Sequence, residues 1–431
     1  MTYRVLATDD LSADAVGLLN AHPSVAFDVH KGLSQDELEV SIAAYDGLII
    51  RSSVQVTDRV IEAGKRLRVI GRAGAGVDNV DIPAASERGI VVMNTPGANT
   101  VATAEHTMAL LLALCRNIPQ AAASLRRGEW ERRRFKGIEL RSKTLGIVGL
   151  GRVGQRVARR CRAFGMDVIC FDPYLSGERA ELLKVDQVTL EELFERSDFI
   201  TLHAALTPDT EGLIGREALA KTKPGVRIIN AARGGLIDEE ALVEALTDGR
   251  VAGAALDVLV DEPPEASNPL LHMDNVVVTP HLAASTSEAQ REVGIQIVGQ
   301  VIDALEGTDF RNAVNMPIVD GRVFEELRSY LAMAERVGSL QTQLAEGAVT
   351  KVEVAIEGDD LDEHITPVSV AILKGMLDPF VTEPVNYVNA QHVAKERGIA
   401  VSQVSGLQTM DYPNIISCRV EWDGGHRTVV A

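Results

Sequence analysis

Three polar side chains follow apolar segments in the middle of the chain, and their types suit acid–base chemistry. Arg233 follows RIINAA, Glu262 follows ALDVLVD and His281 follows VVVTP. A histidine exchanges protons near neutral pH, and a neighbouring carboxylate favours its charged form. An arginine offers a planar fork to a carboxylate or carbonyl group. Taken alone, His281 is more often a hydrogen-bonded core or loop histidine, so the surrounding elements must decide.

These residues end short apolar segments that alternate with helical segments. The segments are KTLGIVGLG, DVICFDP, FITLHAAL, RIINAARG, GAALDV and NVVVTPH. Six strands alternating with helices are typical of a doubly wound parallel sheet. Open α/β sheets bind ligands at the carboxyl edge of their strands. We therefore expect Arg233, Glu262 and His281 to meet at a ligand-binding edge.

A glycine-rich loop joins the first of these strands to an arginine-rich helix. Gly149, Gly151 and Gly154 form a GxGxxG pattern in TLGIVGLGRVGQRVARR. The first glycine permits a tight turn, the second lets the backbone approach a pyrophosphate, and the third allows close packing of the helix. The next strand ends in Asp172, where a carboxylate accepts hydrogen bonds from a ribose diol. Because this carboxylate would repel the 2′-phosphate of NADP, the sequence predicts NAD.

A nicotinamide, an arginine and a histidine–carboxylate pair together predict oxidation of an alcohol beside a carboxylate. His281 would take the hydroxyl proton while a hydride leaves for the nicotinamide. Arg233 would bind the substrate carboxylate and Glu262 would orient His281. We expect no metal, because no His, Cys or Asp cluster has ligand spacing.

A separate series of strands and helices precedes this sheet, and a different pattern follows it. YRVLAT, GLIIRS, RVIGRAG and IVVMN predict a first parallel sheet, and a helix with a capping box at Ser285 and Glu288 is long enough to return to it. Beyond NAVNMP, two helices, a strand and a hairpin turning at Asp423-Gly424-Gly425 are expected. The sequence thus predicts a discontinuous domain (1–98 and 286–316), an inserted domain (99–285) and a C-terminal domain (317–431), which the natural polypeptide is expected to extend.

Composition limits the partners. The net charge of −18 opposes binding to nucleic acid or to anionic membranes. The four cysteines form no CxxC pair, and the amino terminus has no apolar signal core. We expect a cytoplasmic protein that binds small molecules or other protein chains.

Several of these motifs occur together in one known family. GLGRVG, NAARGGLIDEEAL, ALDVLVDEPP and TPHLAASTSEAQ resemble the NAD-dependent D-2-hydroxyacid dehydrogenases, and RAGAGVDNVD and WERRRFKG resemble the members that act on 3-phosphoglycerate in serine biosynthesis. The resemblance is strong over residues 1–316. It implies a Rossmann domain inserted in a flavodoxin-like lobe, followed by a smaller α+β regulatory domain.

The resemblance also implies roles for individual positions. The catalytic trio would be Arg233, Glu262 and His281. The expected NAD contacts are Gly149, Gly151, Arg152, Val153, Gly154, Asp172, Thr207, Ala231, Asp257, His281 and Ala284. The expected substrate contacts are Arg51, Ser52, Arg72, Gly74, Ala75, Gly76, Asn79, Arg132 and Arg233.

A cationic segment in this acidic chain suggests an anionic substrate. RRGEWERRRFK holds six basic residues, which would raise the local concentration of an anion. A charge run of this kind is more often a solvated loop or a subunit contact, and Trp130 favours a contact. The resemblance implies that the segment reaches a neighbouring subunit in a homodimer or homotetramer. Arg51 and Arg72 end strands of the first sheet and are the better candidates for binding a phosphate.

Two other functions remain open on the sequence. The substrate could be an unphosphorylated 2-hydroxyacid, of the glyoxylate/hydroxypyruvate or D-lactate type. Alternatively, the chain could be an NAD-responsive binding protein, because a related branch of this fold acts in transcriptional corepression. We expect a small phosphorylated 2-hydroxyacid, because it accounts for Arg51, Arg72 and the cationic segment.

Overall fold

A computed structural model describes residues 2–317, 321–358, 361–381, 385–407 and 414–431. The chain divides into two compact units, Met1–Pro96 with Arg291–Ala431, and Gly97–Gln290. The expected boundaries at residues 98, 285 and 316, and the separation of a third domain, stay predictions.

A parallel five-stranded sheet forms the amino-terminal part of the first unit. Its elements are β1 (Tyr3–Ala7), α1 (Ala13–Ala21), β2 (Val25–Val29), α2 (Gln35–Ile42), β3 (Gly47–Ile50), α3 (Asp58–Ala63), β4 (Val69–Arg72), α4 (Ile82–Glu87) and β5 (Val91–Asn94). The strand order β2-β1-β3-β4-β5 is flavodoxin-like. The sequence pattern did not reveal β2, because this edge strand buries few side chains.

The second unit is a parallel sheet of seven strands. Its elements are α5 (Thr100–Arg116), α6 (Ile118–Arg126), β6 (Thr144–Val148), α7 (Arg152–Ala163), β7 (Asp167–Phe171), α8 (Gly177–Leu183), β8 (Asp186–Gln187), α9 (Leu190–Arg196), β9 (Phe199–Leu202), α10 (Arg216–Lys221), β10 (Val226–Asn230), α11 (Glu239–Thr247), β11 (Val251–Leu256) and β12 (Val276–Val278). The strand order is β12-β11-β10-β9-β6-β7-β8. The six expected strands are present, and the additional strand β8 is a two-residue polar edge that no apolar pattern marks.

Helices cover both faces of this sheet. Successive residues of a strand point to opposite faces, and Ile228 and Ile229 of β10 accordingly belong to two different hydrophobic cores. Leu111 and Val157 from α5 and α7 lie in the core with Ile229, whereas Leu242 from α11 lies with Ile228. Burial on both faces explains why these strands are continuous apolar runs.

Helix α12 (Ser287–Glu306) carries the chain back to the first unit. It packs directly on the five-stranded sheet, since a Cβ at Gly71 would lie 2.5 Å from the side chain of Val301. The expected capping box was wrong by one position: the hydroxyl of Thr286, not of Ser285, accepts the N–H of Ala289 at 3.2 Å.

The remainder of the first unit is an α+β arrangement with its own core. Its elements are α13 (Gly321–Leu344), β13 (Val349–Glu357), α14 (Ile365–Leu377), α15 (Ala390–Glu396), β14 (Ala400–Leu407), β15 (Ile415–Trp422) and β16 (Gly425–Val430). The sheet order is β14-β13-β15-β16, with β14 parallel to β13 and the other pairs antiparallel. The hairpin turn is one residue shorter than expected, because Gly425 pairs with Trp422 and only Asp423 and Gly424 form the loop.

Within the described ranges, no single helix is long and apolar enough to cross a membrane. Helices α5 and α6 reach that length and composition only together, and they are bent by 63° at their junction.

Candidate active site

The loop between β6 and α7 has the geometry of a pyrophosphate cradle. Gly149 has a φ of +89°, in the left-handed region that favours glycine. A Cβ at Gly154 would lie 2.3 Å from the carbonyl oxygen of Gly149, whereas a Cβ at Gly151 would meet open space. The loop is therefore closely packed on its inner side and open on its outer side, beside the amino terminus of α7. These features fit the diphosphate of NAD.

Asp172 follows β7 directly, and its carboxylate is tied to the glycine loop. One carboxylate oxygen accepts the N–H of Leu150 at 2.8 Å, and the other accepts the N–H of Tyr174 at 2.9 Å. The two bonds hold acceptor oxygens at the strand end where the adenosine ribose of a dinucleotide binds. The bonds thus fix the carboxylate of Asp172 at the strand end, where the sequence predicts a contact with the ribose diol.

His281, which follows β12, forms a hydrogen-bonded pair with Glu262, which lies in the loop between β11 and β12. Nδ1 of His281 lies 2.7 Å from Oε2 of Glu262, and both side chains are about one third exposed (35% and 38%). Burial alone would raise the pKa of Glu262, but the hydrogen bond and the charge of His281 outweigh burial and hold that pKa below its ordinary value. An ionised carboxylate only accepts hydrogen bonds, so Nδ1 of His281 carries a proton. Nε2 is then the ring atom available to exchange a proton with a substrate.

Arg233 lies in a tight turn after β10. Asn230, the fully buried last residue of that strand, donates from Nδ2 to the carbonyl of Arg233 at 2.8 Å and accepts the N–H of Ala232 at 3.0 Å. A Cβ at Gly234 would lie 2.0 Å from the carbonyl oxygen of Leu259. The turn that carries Arg233 therefore lies against the loop that leads to Glu262. Asn230 was missed by sequence reasoning, although a polar residue ending an apolar strand was a usable signal.

The carboxylate of Asp257, an expected NAD contact, is held by donors from the protein. One oxygen accepts the hydroxyl of Thr279 at 2.6 Å and the N–H of Leu282 at 2.8 Å. The other accepts the N–H of Ala283 at 2.8 Å, and the side chain is 0% exposed. The main-chain carbonyl of Asp257 accepts the N–H of His281 at 2.8 Å. Asp257 thus shapes the loop that carries His281.

The other expected cofactor contacts follow strands of the same sheet. Arg152 and Val153 begin α7, Thr207 lies in the turn after β9, Ala231 follows β10 directly, and Ala284 lies between β12 and α12. The structure therefore brings the expected cofactor and catalytic residues to the carboxyl edge of one sheet.

The expected substrate residues of the first unit lie at the carboxyl edge of the five-stranded sheet. Ile50 ends β3 and pairs with Arg72, which ends β4, so Arg51 and Arg72 occupy one edge. The guanidinium of Arg72 lies over Gly74, where a Cβ would come within 1.7 Å of Nη1. Ser52, Ala75 and Gly76 lie in the loops that follow these strands.

Asn79 is nearly buried and acts on the protein's own backbone. Its Nδ2 donates to the carbonyl oxygens of Arg51 at 2.8 Å and Val54 at 2.6 Å. The amide therefore holds the loop that contains Arg51 and Ser52.

The cationic segment of residues 126–136 is exposed and partly neutralised. Arg134 pairs with Glu131 at 3.0 Å and with Asp274 at 2.8 Å. Trp130 is 77% exposed, and Arg132 is also exposed. A tryptophan this exposed is a candidate for contact with another protein surface.

Comparison with known proteins supports the same chemistry. Residues 108–283 match the family described as D-isomer specific 2-hydroxyacid dehydrogenase, NAD binding domain, and residues 326–431 match the D-3-phosphoglycerate dehydrogenase intervening domain. The D-3-phosphoglycerate dehydrogenase of Archaeoglobus fulgidus is 45% identical over 421 residues, which cover 98% of this chain and 80% of that protein. The Methanocaldococcus jannaschii protein of the same name is 47% identical over 421 residues, covering 97% and 80%.

Solved structures resemble the dehydrogenase part of the chain. The crystal structure of a Thermus thermophilus protein is 39% identical with a TM-score of 0.67, and covers 72% of this chain and 99% of that one. D-Lactate dehydrogenase from Aquifex aeolicus, complexed with NAD and lactic acid, is 28% identical with a TM-score of 0.64, covering 70% and 96%. With the glycine loop and the His281–Glu262 pair in place, this chain belongs to the D-3-phosphoglycerate dehydrogenase family of NAD-dependent D-2-hydroxyacid dehydrogenases.

Proposed function

We propose that the chain oxidises 3-phospho-D-glycerate to 3-phosphohydroxypyruvate with NAD, the first step of phosphorylated serine biosynthesis, as a cytoplasmic homodimer or homotetramer. The observation that carries the chemistry is the His281–Glu262 pair at 2.7 Å, at the sheet edge that also bears the glycine loop. The substrate is inferred from the relatives named D-3-phosphoglycerate dehydrogenase, which are 41–47% identical over most of the chain.

The side chains divide the work of this reaction. Arg233 binds the substrate carboxylate through its planar fork and orients the hydroxyl at C2. Nε2 of His281 accepts the hydroxyl proton, and Glu262 stabilises the imidazolium that forms. The glycine loop and Asp172 would hold NAD, which would supply the acceptor for the hydride that leaves C2. In the reverse direction, His281 returns its proton to the carbonyl oxygen.

Replacing Arg51 or Arg72 by alanine is expected to raise the KM for 3-phosphoglycerate by roughly 10- to 100-fold, because a hydrogen bond to a charged group contributes about 1.5–3 kcal/mol. The kcat should change less, since the phosphate lies away from the reacting carbon and is bound equally before and during the reaction. Initial rates of NADH formation measure both constants.

Arg68→Ala is the matched control for these variants. Arg68 precedes β4 at the amino edge of the same sheet, whereas Arg72 ends the strand at the carboxyl edge. An unchanged KM in both Arg51→Ala and Arg72→Ala would reject phosphate recognition there.

A substrate panel followed by NADH absorbance tests the function itself. We expect 3-phosphoglycerate to have a higher kcat/KM than D-glycerate, D-lactate or glycolate. A preference for an unphosphorylated acid would assign the chain to another 2-hydroxyacid, and no turnover with NAD would favour a binding protein.

Trp130→Ala is expected to weaken the homo-oligomer by about 30- to 1,000-fold, because buried tryptophans at interfaces contribute roughly 2–4 kcal/mol. Sedimentation velocity over a range of protein concentrations measures the dissociation constant. Leu182→Ala removes another exposed apolar side chain, which is 69% exposed on α8, and should leave assembly unchanged. Identical sedimentation of wild type and Trp130→Ala would contradict the role of this segment.

A further inference from the structure

A second histidine–carboxylate pair, His106 and Asp257, contacts the loop that carries His281. Nε2 of His106, on α5, is 2.9 Å from Oδ1 of Asp257 and 3.3 Å from the hydroxyl oxygen of Thr279. Burial alone would raise the pKa of Asp257, but hydrogen bonds from His106, Thr279 and Leu282 outweigh burial and lower that pKa. The carboxylate is therefore ionised at neutral pH and only accepts hydrogen bonds, so Nε2 of His106 carries the proton.

The loop held by this carboxylate has an unusual backbone at His281. The φ of His281 is +52°, a conformation that non-glycine residues rarely adopt and that persists only where the surroundings impose it. Asp257 imposes it, because its carbonyl binds the N–H of His281 and its carboxylate binds the N–H groups of Leu282 and Ala283. A buried carboxylate that loses one donor is left under-satisfied, so its remaining bonds to the loop will shift.

We propose that His106 is a positioning residue for proton transfer. Through Asp257 it holds the backbone of residues 281–283 in the conformation in which Nδ1 of His281 meets Glu262. The sequence signal for His106 was weak, because one histidine in the apolar helix that contains AEHTMALLLALC gives no indication of a partner 151 positions away. The catalytic readout of this inference rests on the proposed function.

Two substitutions separate the hydrogen bond from the volume of the side chain. His106→Leu fills the site without a donor, whereas His106→Gln places an amide N–H near the position of Nε2. We expect His106→Leu to lower kcat by about 10- to 100-fold, with the KM values for NAD and substrate within about threefold of wild type. His106→Gln should keep kcat within about threefold of wild type. His30→Leu, an exposed histidine of the first unit, is the matched control and should behave as wild type.

A spectroscopic readout makes the test independent of the substrate. In 15N-histidine-labelled protein, the Nδ1–H of His281 is a hydrogen-bonded proton that is assigned by its loss in His281→Gln. We expect His106→Leu to shift or broaden this resonance and His106→Gln to retain it. If wild type does not oxidise 3-phosphoglycerate, the proposed function fails, while the resonance still tests His106.

Thr279→Val supplies a second variant in case His106→Leu does not fold. It removes the other side-chain donor to Asp257 and should reproduce both the loss of kcat and the change in the His281 resonance. The inference is overturned if His106→Leu, or Thr279→Val in its place, retains wild-type kcat and spectrum. It is also overturned if His106→Leu and His106→Gln lose kcat equally, because that result would indicate packing rather than the hydrogen bond.

Discussion

His281→Ala is expected to lower kcat by about 10²- to 10⁴-fold, the contribution that a positioned general acid–base typically makes. The KM values for NAD and 3-phosphoglycerate should stay within a few-fold of wild type, because Arg233 and the glycine loop still bind the carboxylate and the dinucleotide. Steady-state rates of NADH formation measure the loss, and thermal melting shows that the variant is folded.

Glu262→Gln tests the pair from its other side. Glutamine still offers an oxygen to Nδ1, but it lacks the charge that stabilises an imidazolium, so we expect a loss of kcat of roughly 10- to 1,000-fold. Glu265→Gln is the matched control, because Glu265 is an exposed carboxylate three residues further on that bonds only to Ser267 among the described contacts. For the first prediction, a wild-type kcat in His281→Ala would remove His281 from the chemistry.

Asp172→Ser is expected to shift the ratio of kcat/KM for NAD to that for NADP by about 5- to 700-fold towards NADP. The reason is electrostatic: two unit charges 4 Å apart repel by about 1–4 kcal/mol at effective dielectric constants between 80 and 20. The variant also loses the acceptor for the ribose diol, so the value for NAD should fall while the value for NADP rises. Rates with each cofactor at saturating substrate give the ratio.

Asp172→Asn separates the charge from the position of the loop. It retains one acceptor oxygen for the N–H of Leu150 or Tyr174 but carries no charge, so it should show most of the shift in preference. Asp167→Ser, at the amino end of the same strand, is the control and should leave the ratio unchanged. An unaltered ratio in both Asp172 variants would place the determinant of cofactor preference elsewhere.

Much of the fold could be predicted from local patterns. The six buried strands of the second unit are apolar runs because helices cover both of their faces, and the structure has all six. The three strands that the pattern missed, β2, β8 and β14, lie at sheet edges, where few side chains are buried. The cap of α12 was predicted at Ser285, whereas the structure places it at Thr286, because consecutive serine and threonine residues offer equivalent local chemistry. Edges and caps depend on neighbours that a local pattern does not contain.

By itself, the sequence determined the nucleotide loop and the set of polar residues at the strand ends. Glycine spacing and the alternation of strands with helices are local, so the chain needs no distant partner to encode them. Only the tertiary structure decided which of these groups bond to each other. Asp257 turned out to hold the loop of His281, and His106 to reach Asp257 across 151 positions of sequence. Hydrogen bonds extend over about 3 Å, and only packing brings residues so distant in sequence within that range.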